Sequence, residues 1–313
     1  KKLAFALCAF ILVSEVSIAA PQEPLFSVVD KQQSSFLGTL KELVSIESGS
    51  RDREGLDKIS QLIFNRLKAL GGQVEFIEPG AGIYRMHDTP EKPGRMVKAE
   101  FKGSGSKKIL LIAHMDTVYL KGMLAKQPFR IDGDRAFGLG ISDDKQGIAL
   151  ILHTLDALKK MKFNEYGKIT VLINGDEEIS SPAARALFTK LGAEHDVTFS
   201  CEASQAKSDR IALTTAGIAA VNLNITGKAS HAGSAPELGR NALEELSFQI
   251  QQMRDLSDPK EGVKMNWTLA TAGTNRNVIP SVAFATADVR VMKKEDFDVV
   301  ENKVRERVKT QQI

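Results

Sequence analysis

Apolar residues along the chain recur at two spacings, which predict helices and strands in alternation. Helical spacing is clearest in one segment, which ends at a glycine pair and contains Leu56, Ile59, Ile63, Leu67 and Leu70. Two helices are expected before the first strand, and two more at 147–161 and about 182–191. Short apolar runs predict strands at 74–77, 96–101, 107–113, 169–173 and 197–201, with a hairpin at 128–137. Buried strands alternating with helices predict an α/β fold with a parallel or mixed sheet.

A different order of elements begins at residue 217. Strands and helices are predicted in the order βαββα, at 218–226, 241–256, 266–272, 282–291 and 295–309. This is the ferredoxin-like split motif without its last strand. The length of 313 residues is sufficient for two domains. We therefore expect the N-terminal part of one domain at 21–216 and a second domain at 217–313, in a chain truncated at its C-terminus.

The residues that could bind a metal or take part in catalysis lie just after apolar segments. The polar residues concerned are His114 and Asp116, Asp143 and Asp144, Glu177 and Glu178, and Glu202. Three of these four groups follow predicted strands, and the carboxyl ends of parallel strands share the edge of a sheet at which ligands bind. One imidazole among several carboxylates is a donor set suited to divalent metal ions. The pattern predicts a metal-dependent hydrolase.

Most of these residues also have simpler interpretations. Asp116 could cap a loop, or it could fix the tautomer of His114, since residues i and i+2 of an extended segment point the same way. Asp144 could be a helix N-cap. The adjacent carboxylates 177–178 could favour a helix start, or one could bind metal while the other acts as general base. A dinucleotide loop is rejected, because Asp143 stands at the third glycine position and would repel a pyrophosphate.

Composition and the N-terminus restrict the function further. The net charge of +3 is too small, and the basic residues too scattered, to predict a nucleic-acid partner. Residues 1–20 have a basic start, an apolar centre and small residues before position 21, which predicts a cleavable signal peptide. The mature protein is expected to be periplasmic or secreted and not membrane-bound. Cys201 is then the one mature thiol, so no internal disulfide is expected, and we interpret it as a core residue.

Four segments together resemble the motifs of metallopeptidase family M20. They are AHMDTV at 113–118, SDDKQG at 142–147, DEE at 176–178 and GKASHAG at 227–233. Segments 118–122, 235–239 and 277–280 are also similar to those of the glutamate carboxypeptidases in this family. The resemblance covers essentially all of the mature chain, and it implies a zinc-peptidase catalytic domain at 21–216 and a dimerisation domain at 217–313.

The resemblance also implies a role for each site residue. Two zinc ions per subunit would be held by His114, Asp143, Glu178 and Glu202, with Asp143 bridging the ions. Glu177 would be the general base and acid, and Asp116 would orient His114. His231 would reach the partner subunit's active site in a homodimer and polarise the scissile carbonyl, while Asn277 and Arg290 would hold the substrate's carboxylate.

The family's fifth metal ligand is a histidine near the C-terminus, in a part of the catalytic domain that this sequence lacks. We therefore expect the 313-residue chain alone to bind at most one zinc ion tightly and to be inactive. The expected function of the whole protein is hydrolysis of the amide bond to a C-terminal amino acid in a small peptide or N-acyl amino acid. Glutamate is the amino acid that we expect to be released. Two alternatives stay open: a deacylase of the acetylornithine type, and a non-catalytic amino-acid-binding protein.

Overall fold

The computed structural model describes residues 23–86, 89–204 and 211–313. The predicted signal peptide at 1–20 lies outside the described residues. The chain divides into two compact units between residues 207 and 208. The predicted domain boundary at 216/217 falls nine residues later, where the first strand of the second unit begins.

The described residues of the first unit form five α-helices. They are α1 (Glu23–Asp30), α2 (Gln33–Val44), α3 (Arg53–Ala69), α4 (Gln146–Lys160) and α5 (Arg185–Glu194). From residue 23 onward, three helices precede the first strand, where two were predicted, because a turn at residues 31–32 separates the short α1 from α2. The α3 helix is the segment with the clearest helical spacing, and Asp52 caps it by accepting a hydrogen bond from Gly55 N at 3.2 Å. In the described part of the chain, no helix is both long enough and apolar enough to cross a bilayer.

A five-stranded mixed sheet forms the centre of the first unit. Its strands are β1 (Gln73–Ile77), β2 (Met96–Lys102), β3 (Lys108–His114), β6 (Lys168–Asn174) and β7 (Val197–Ser200), in the order β1-β2-β6-β3-β7. The predicted hairpin is a separate pair, β4 (Arg130–Asp132) and β5 (Arg135–Phe137). The β3 strand is parallel to both β6 and β7, whereas β1 and β2 run antiparallel to their neighbours. The mixed sheet confirms the predicted α/β class.

Strand register determines where the polar groups lie. His114, the last residue of β3, is paired with Asn174, the last residue of β6, and Ile112 is paired with Ser200, the last residue of β7. The three parallel strands therefore end together. Asp116, Glu177 and Glu202 lie in the segments that follow these strands, so all three are at the same edge of the sheet.

Burial differs between the centre and the edge of this sheet. The β6 strand is buried along almost its whole length, as a central strand with helices on both faces should be. The edge strand β7 was predicted to be buried, but all four of its residues are exposed, including Phe199. An apolar run alone does not distinguish a central strand from an edge strand. Cys201, just after β7, is half-buried and packs against the main core, in agreement with its interpretation as a core residue.

The second unit has its own sheet and core. Its elements are β8 (Gly217–Thr226), α6 (Ala242–Gln252), β9 (Val263–Ala272), β10 (Val282–Val291) and α7 (Asp296–Arg307). The three strands are antiparallel in the order β8-β10-β9, and both helices contribute to one apolar core with β10. This arrangement confirms the predicted βαββα order. The α6 helix is shorter than predicted, because the chain turns at Met253.

The α4 helix offers a matched test of core packing. Ile151 is 1% exposed in the main core, whereas its neighbour Leu150 is 46% exposed. Replacing Ile151 with alanine should lower the free energy of unfolding of the first unit by about 2–5 kcal/mol, since it leaves a cavity. Leu150→Ala should change it by less than about 0.5 kcal/mol. Urea denaturation followed by circular dichroism measures both, and equal losses would contradict this assignment of the core.

Candidate metal centre

His114 is the centre of a cluster of carboxylates. Its side chain is 1% exposed, and its Nε2 atom lies 2.9 Å from Asp143 Oδ1, 3.4 Å from Glu202 Oε1 and 3.9 Å from Glu177 Oε2. These three carboxylates come from different segments, whereas the imidazole is held at the end of β3. The sheet edge thus gathers residues that are far apart in sequence around one nitrogen atom.

Among the residues that the structure describes, two overlapping groups of three side chains could hold a metal ion. One is His114, Asp143 and Glu178, and the other is His114, Asp144 and Glu202. Within each group the donor atoms lie within 4.8 Å of one another. Zinc binds nitrogen and carboxylate oxygen at about 2.0–2.2 Å, so two ligands of a tetrahedral zinc ion lie about 3.3–3.6 Å apart, which is within this limit. The donor set and its dimensions fit zinc.

Asp144 is the member of this cluster to which the sequence reasoning gave only a capping role. It is fully buried, its Oδ2 accepts a hydrogen bond from His114 N at 3.2 Å, and its carboxylate also accepts one from Gly147 N in the first turn of α4. Asp144 therefore caps the helix and is a candidate ligand at the same time. The adjacent pair of aspartates was the available signal, but the sequence does not show which one faces inward. Their peptide bond is cis.

Asp116 contacts two other parts of the site. His114 Nδ1 lies 3.1 Å from the Asp116 carbonyl oxygen and 3.4 Å from its Oδ1 atom. The carboxylate also accepts hydrogen bonds from Glu177 N at 3.0 Å and Glu178 N at 3.1 Å. Asp116 is 0% exposed. It therefore contacts the imidazole and also holds the backbone of the two glutamates.

The two glutamates begin a tight turn with an uncommon backbone. The turn covers Glu177–Ile179, and the next two residues, Ser180 and Ser181, have φ angles of 69° and 51°. Non-glycine residues in the left-handed region carry a conformational cost. The turn is held by buried Asp176, whose Oδ2 accepts a hydrogen bond from Ala183 N at 2.6 Å. Glu177 is exposed and Glu178 is partly buried, so the neighbouring carboxylates lie in different environments.

Crowding of negative charge shifts the pKa values of these groups. Burial, followed by the negative charge of Asp143, raises the pKa of Glu178 to about 7. Burial and then Glu202 raise the pKa of Asp144 to about 8. Burial of His114 opposes its charged form, but the Asp116 carboxylate and nearby glutamates outweigh this and raise its pKa to about 10. A bound dication would replace these protons and relieve the repulsion between the carboxylates.

His231 and Asn277 lie side by side in the second unit. Ala232 N donates a hydrogen bond to Asn277 O at 2.9 Å, and His231 is bridged to Val278. His231 Nδ1 accepts hydrogen bonds from Gly233 N and Ser234 N, both at 3.1 Å. This nitrogen therefore carries no hydrogen, and the tautomer with hydrogen on the exposed Nε2 is the one that satisfies these contacts.

Arg290 is not close to Asn277. It is near the end of β10, paired in register with Ile218, whereas Asn277 comes before the start of β10. At about 3.3 Å per residue, Arg290 lies roughly 26 Å along the strand from Val282. Its Nε donates to Asp288 Oδ2 at 2.9 Å. The structure of one subunit therefore does not bring these two residues to a common carboxylate.

The rings of two other histidines make hydrogen-bond contacts outside the metal centre. His195 Nε2 lies 2.8 Å from Thr170 Oγ1 and its Nδ1 lies 2.7 Å from Leu191 O. His153 Nε2 lies 3.0 Å from Thr39 Oγ1, and its Nδ1 is 3.1 Å from Gln32 Oε1. Both rings are bound within the protein by structural contacts, so neither is available to complete the metal centre.

Comparison with known proteins identifies the family. A family model described as Peptidase dimerisation domain matches residues 213–313, and one described as Peptidase family M28 matches residues 96–232. Carboxypeptidase G2 from Pseudomonas sp. is 43% identical over 92% of this chain and 68% of its own length. The chain belongs to the M20 metallopeptidases. An acetylornithine deacetylase from Vibrio atlanticus is 30% identical over 72% of this chain and 57% of its own length.

Solved structures of M20 and related peptidases share this fold. An M20 family metallo-carboxypeptidase from Sulfolobus solfataricus has a TM-score of 0.65 at 18% identity, over 88% of this chain and 76% of its own. The dipeptidase Dug1p from Saccharomyces cerevisiae has a TM-score of 0.72 at 15% identity, over 91% of this chain and 76% of its own. These likenesses concern the fold. They agree with the two-unit architecture described above.

The raised pKa values make a prediction for this M20 metal centre. His114 and Glu178, with pKa values of about 10 and 7, must lose protons before they can bind zinc. Zinc affinity of the metal-free protein should therefore rise by roughly tenfold or more per pH unit between about pH 5.5 and 7, with protons released on binding. Chelator competition measures the affinity, and calorimetry in two buffers measures the protons. An affinity that is constant over this range would contradict the assignment.

Proposed function

We propose that this protein is a zinc-dependent carboxypeptidase that hydrolyses the amide bond to a C-terminal glutamate. The observation that carries the proposal is the exposed carboxylate of Glu177, 3.9 Å from buried His114 in the cluster of candidate metal donors, in a chain 43% identical to carboxypeptidase G2. A protein that only binds an amino acid has no need of a carboxylate base at this position. The substrate class is a small peptide or an N-acyl glutamate.

The proposed metal ligands are His114, Asp143, Glu178 and Glu202, for two zinc ions per subunit. Asp143 would bridge the two ions, as the family resemblance implies; its carboxylate lies 2.9 Å from His114 Nε2 and in one group with Glu178. Asp144 is a further candidate beside Glu202. When bound, zinc supplies a Lewis acid that polarises the scissile carbonyl and lowers the pKa of a water molecule.

Glu177 performs the proton transfers in this proposal. Its carboxylate takes a proton from the attacking water and later donates a proton to the leaving amide nitrogen. Asp116 supports this step in two ways, because it contacts His114 Nδ1 and accepts the hydrogen bond from Glu177 N. The backbone of Glu177 is thus held by Asp116, while its side chain is exposed.

The second unit supplies substrate recognition in a homodimer formed through residues 217–313. The match to a dimerisation domain model supports this arrangement. His231, as an Nε2–H donor, polarises the carbonyl oxygen of the bond that is cleaved. Asn277 and Arg290 hold the substrate's carboxylate. Because the two lie at opposite ends of β10 in one subunit, they can serve a single carboxylate only if they come from different subunits.

The proposed setting is the periplasm or the extracellular space, on the basis of the signal sequence at 1–20. A deacylase of the acetylornithine type is the second candidate activity, supported by the relatives at 27–30% identity. Those relatives are more distant than carboxypeptidase G2, which favours the carboxypeptidase. The two activities differ in the amino acid that is released.

Zinc-loaded full-length protein should release glutamate from N-acyl glutamates faster than it cleaves N-acyl basic amino acids. Replacement of Glu177 with glutamine should lower turnover by roughly 10²–10⁴-fold, as expected when general acid–base catalysis is lost, with zinc content unchanged. Amino-acid analysis of the products and metal analysis of the protein measure these two results.

The matched control is Glu178→Gln, one residue further along the chain. It should lose zinc together with activity, because Glu178 is a proposed ligand and Glu177 is not. Near-normal turnover by Glu177→Gln would remove that residue from the mechanism. Binding of glutamyl ligands without any hydrolysis by the zinc-loaded protein would favour the amino-acid-binding alternative.

Action of His231 across the dimer can be tested by mixing subunits. Full-length His231→Ala and Glu177→Gln proteins should each be poorly active as homodimers. A heterodimer of the two should regain about half of the wild-type activity per dimer if His231 serves the partner's site, since one site then has both residues. Activity assays with exchange followed by mass spectrometry provide the measurement. Confirmed exchange without recovery would show that His231 acts in its own subunit.

A further inference from the structure

The buried carboxylate of Asp116 receives a hydrogen bond from a segment outside the metal centre. Ser50 Oγ donates to Asp116 Oδ2 at 2.8 Å, and the same oxygen accepts the bond from Glu178 N. Asp116 is 0% exposed, so its orientation is set by protein donors. A hydrogen bond to a buried charged group is among the stronger ones in proteins. Ser50 therefore donates to the same oxygen atom that accepts the hydrogen bond from the Glu178 amide.

The loop that carries Ser50 is itself held firmly in place. It connects α2 to α3, and it pairs with the segment after β3 through Thr117 N to Ser48 O at 2.9 Å and Ser50 N to Thr117 O at 3.1 Å. Lys145 Nζ, just after the aspartate pair, donates to Ile46 O at 2.7 Å. The loop is therefore bonded to two of the segments that form the metal centre.

Gly49 allows the close approach on which this pairing depends. A β-carbon at this position would collide with the Tyr119 carbonyl oxygen, so a side chain here would push the loop away from residues 117–119. The neighbouring Ser48 provides a contrast to Ser50. Both serines are buried, at 1% and 8% exposure, but Ser48 Oγ has no hydrogen-bond partner within the described structure.

We propose that Ser50 is a positioning residue that acts through Asp116 to fix the backbone of Glu177 and Glu178. Without its hydroxyl, Asp116 Oδ2 loses one of its two hydrogen-bond donors. The carboxylate can then turn, which loosens the N–H groups of both glutamates and displaces a proposed zinc ligand together with the proposed base. The effect on turnover rests on the proposed hydrolase function, whereas the effect on backbone order does not.

The test compares Ser50→Ala with Ser48→Ala and Ser50→Thr in the full-length protein. In the metal-free state, hydrogen exchange at the Glu177 and Glu178 amides should become roughly ten- to a hundredfold faster in Ser50→Ala, on the scale of a lost charge-assisted hydrogen bond. Zinc binding should weaken by a similar factor. With N-acyl glutamate, kcat should fall while KM changes by less than about twofold. Ser48→Ala should match wild type, and Ser50→Thr, which keeps a hydroxyl, should restore most of the loss.

The outcomes separate positioning from simple stability. A lower melting temperature in Ser50→Ala, with amide exchange at Glu177 and Glu178 and zinc affinity unchanged, would overturn the proposal. Equal behaviour of Ser50→Ala and Ser48→Ala would also overturn it. If Ser50→Ala does not fold, Ser50→Cys, whose thiol is a weak donor, takes its place with the same expected direction. If wild type cleaves no N-acyl glutamate, the proposed function fails, and the exchange and zinc measurements still decide the role of Ser50.

Discussion

The structure of the first unit depends on the balance of charge around His114. Parallel strands that end together bring one imidazole and several carboxylates to a single edge, and burial makes their mutual repulsion costly. Protonation of the carboxylates can offset part of this repulsion, as the raised pKa values of Glu178 and Asp144 indicate. A bound divalent cation would offset more of the repulsion. Metal binding and the stability of this edge are therefore linked.

Much of the fold follows from simple patterns in the sequence. Apolar runs locate the buried strands β3 and β6, helical spacing locates α3, and parallel pairing then explains why His114 and Glu202 meet. Exposure of β7 could not be predicted, because an apolar run does not reveal whether a strand has a neighbour on both sides. The extra N-terminal helix was missed because one eight-residue segment gives little periodic signal.

Several features of the site could not be predicted from the sequence. The adjacent aspartates 143 and 144 have the same side chain, and only the backbone conformation decides that Asp144 is buried while Asp143 is exposed. The link between Ser50 and Asp116 joins residues 66 positions apart, and no periodicity predicts such a contact. Asn277 precedes β10 and Arg290 is near its end, so most of this strand separates two residues that the family resemblance assigned to one carboxylate.

The hydrogen bonds at His231 have a consequence for proton transfer. With Nδ1 accepting from two backbone amides and hydrogen on Nε2, the ring has no lone pair free at its exposed nitrogen. It can donate a hydrogen bond to an oxygen atom, but it cannot take a proton from water without giving up its own contacts. In the proposed reaction this ring would therefore donate a hydrogen bond to an oxygen atom of the substrate, and the proton transfers would fall to a different group.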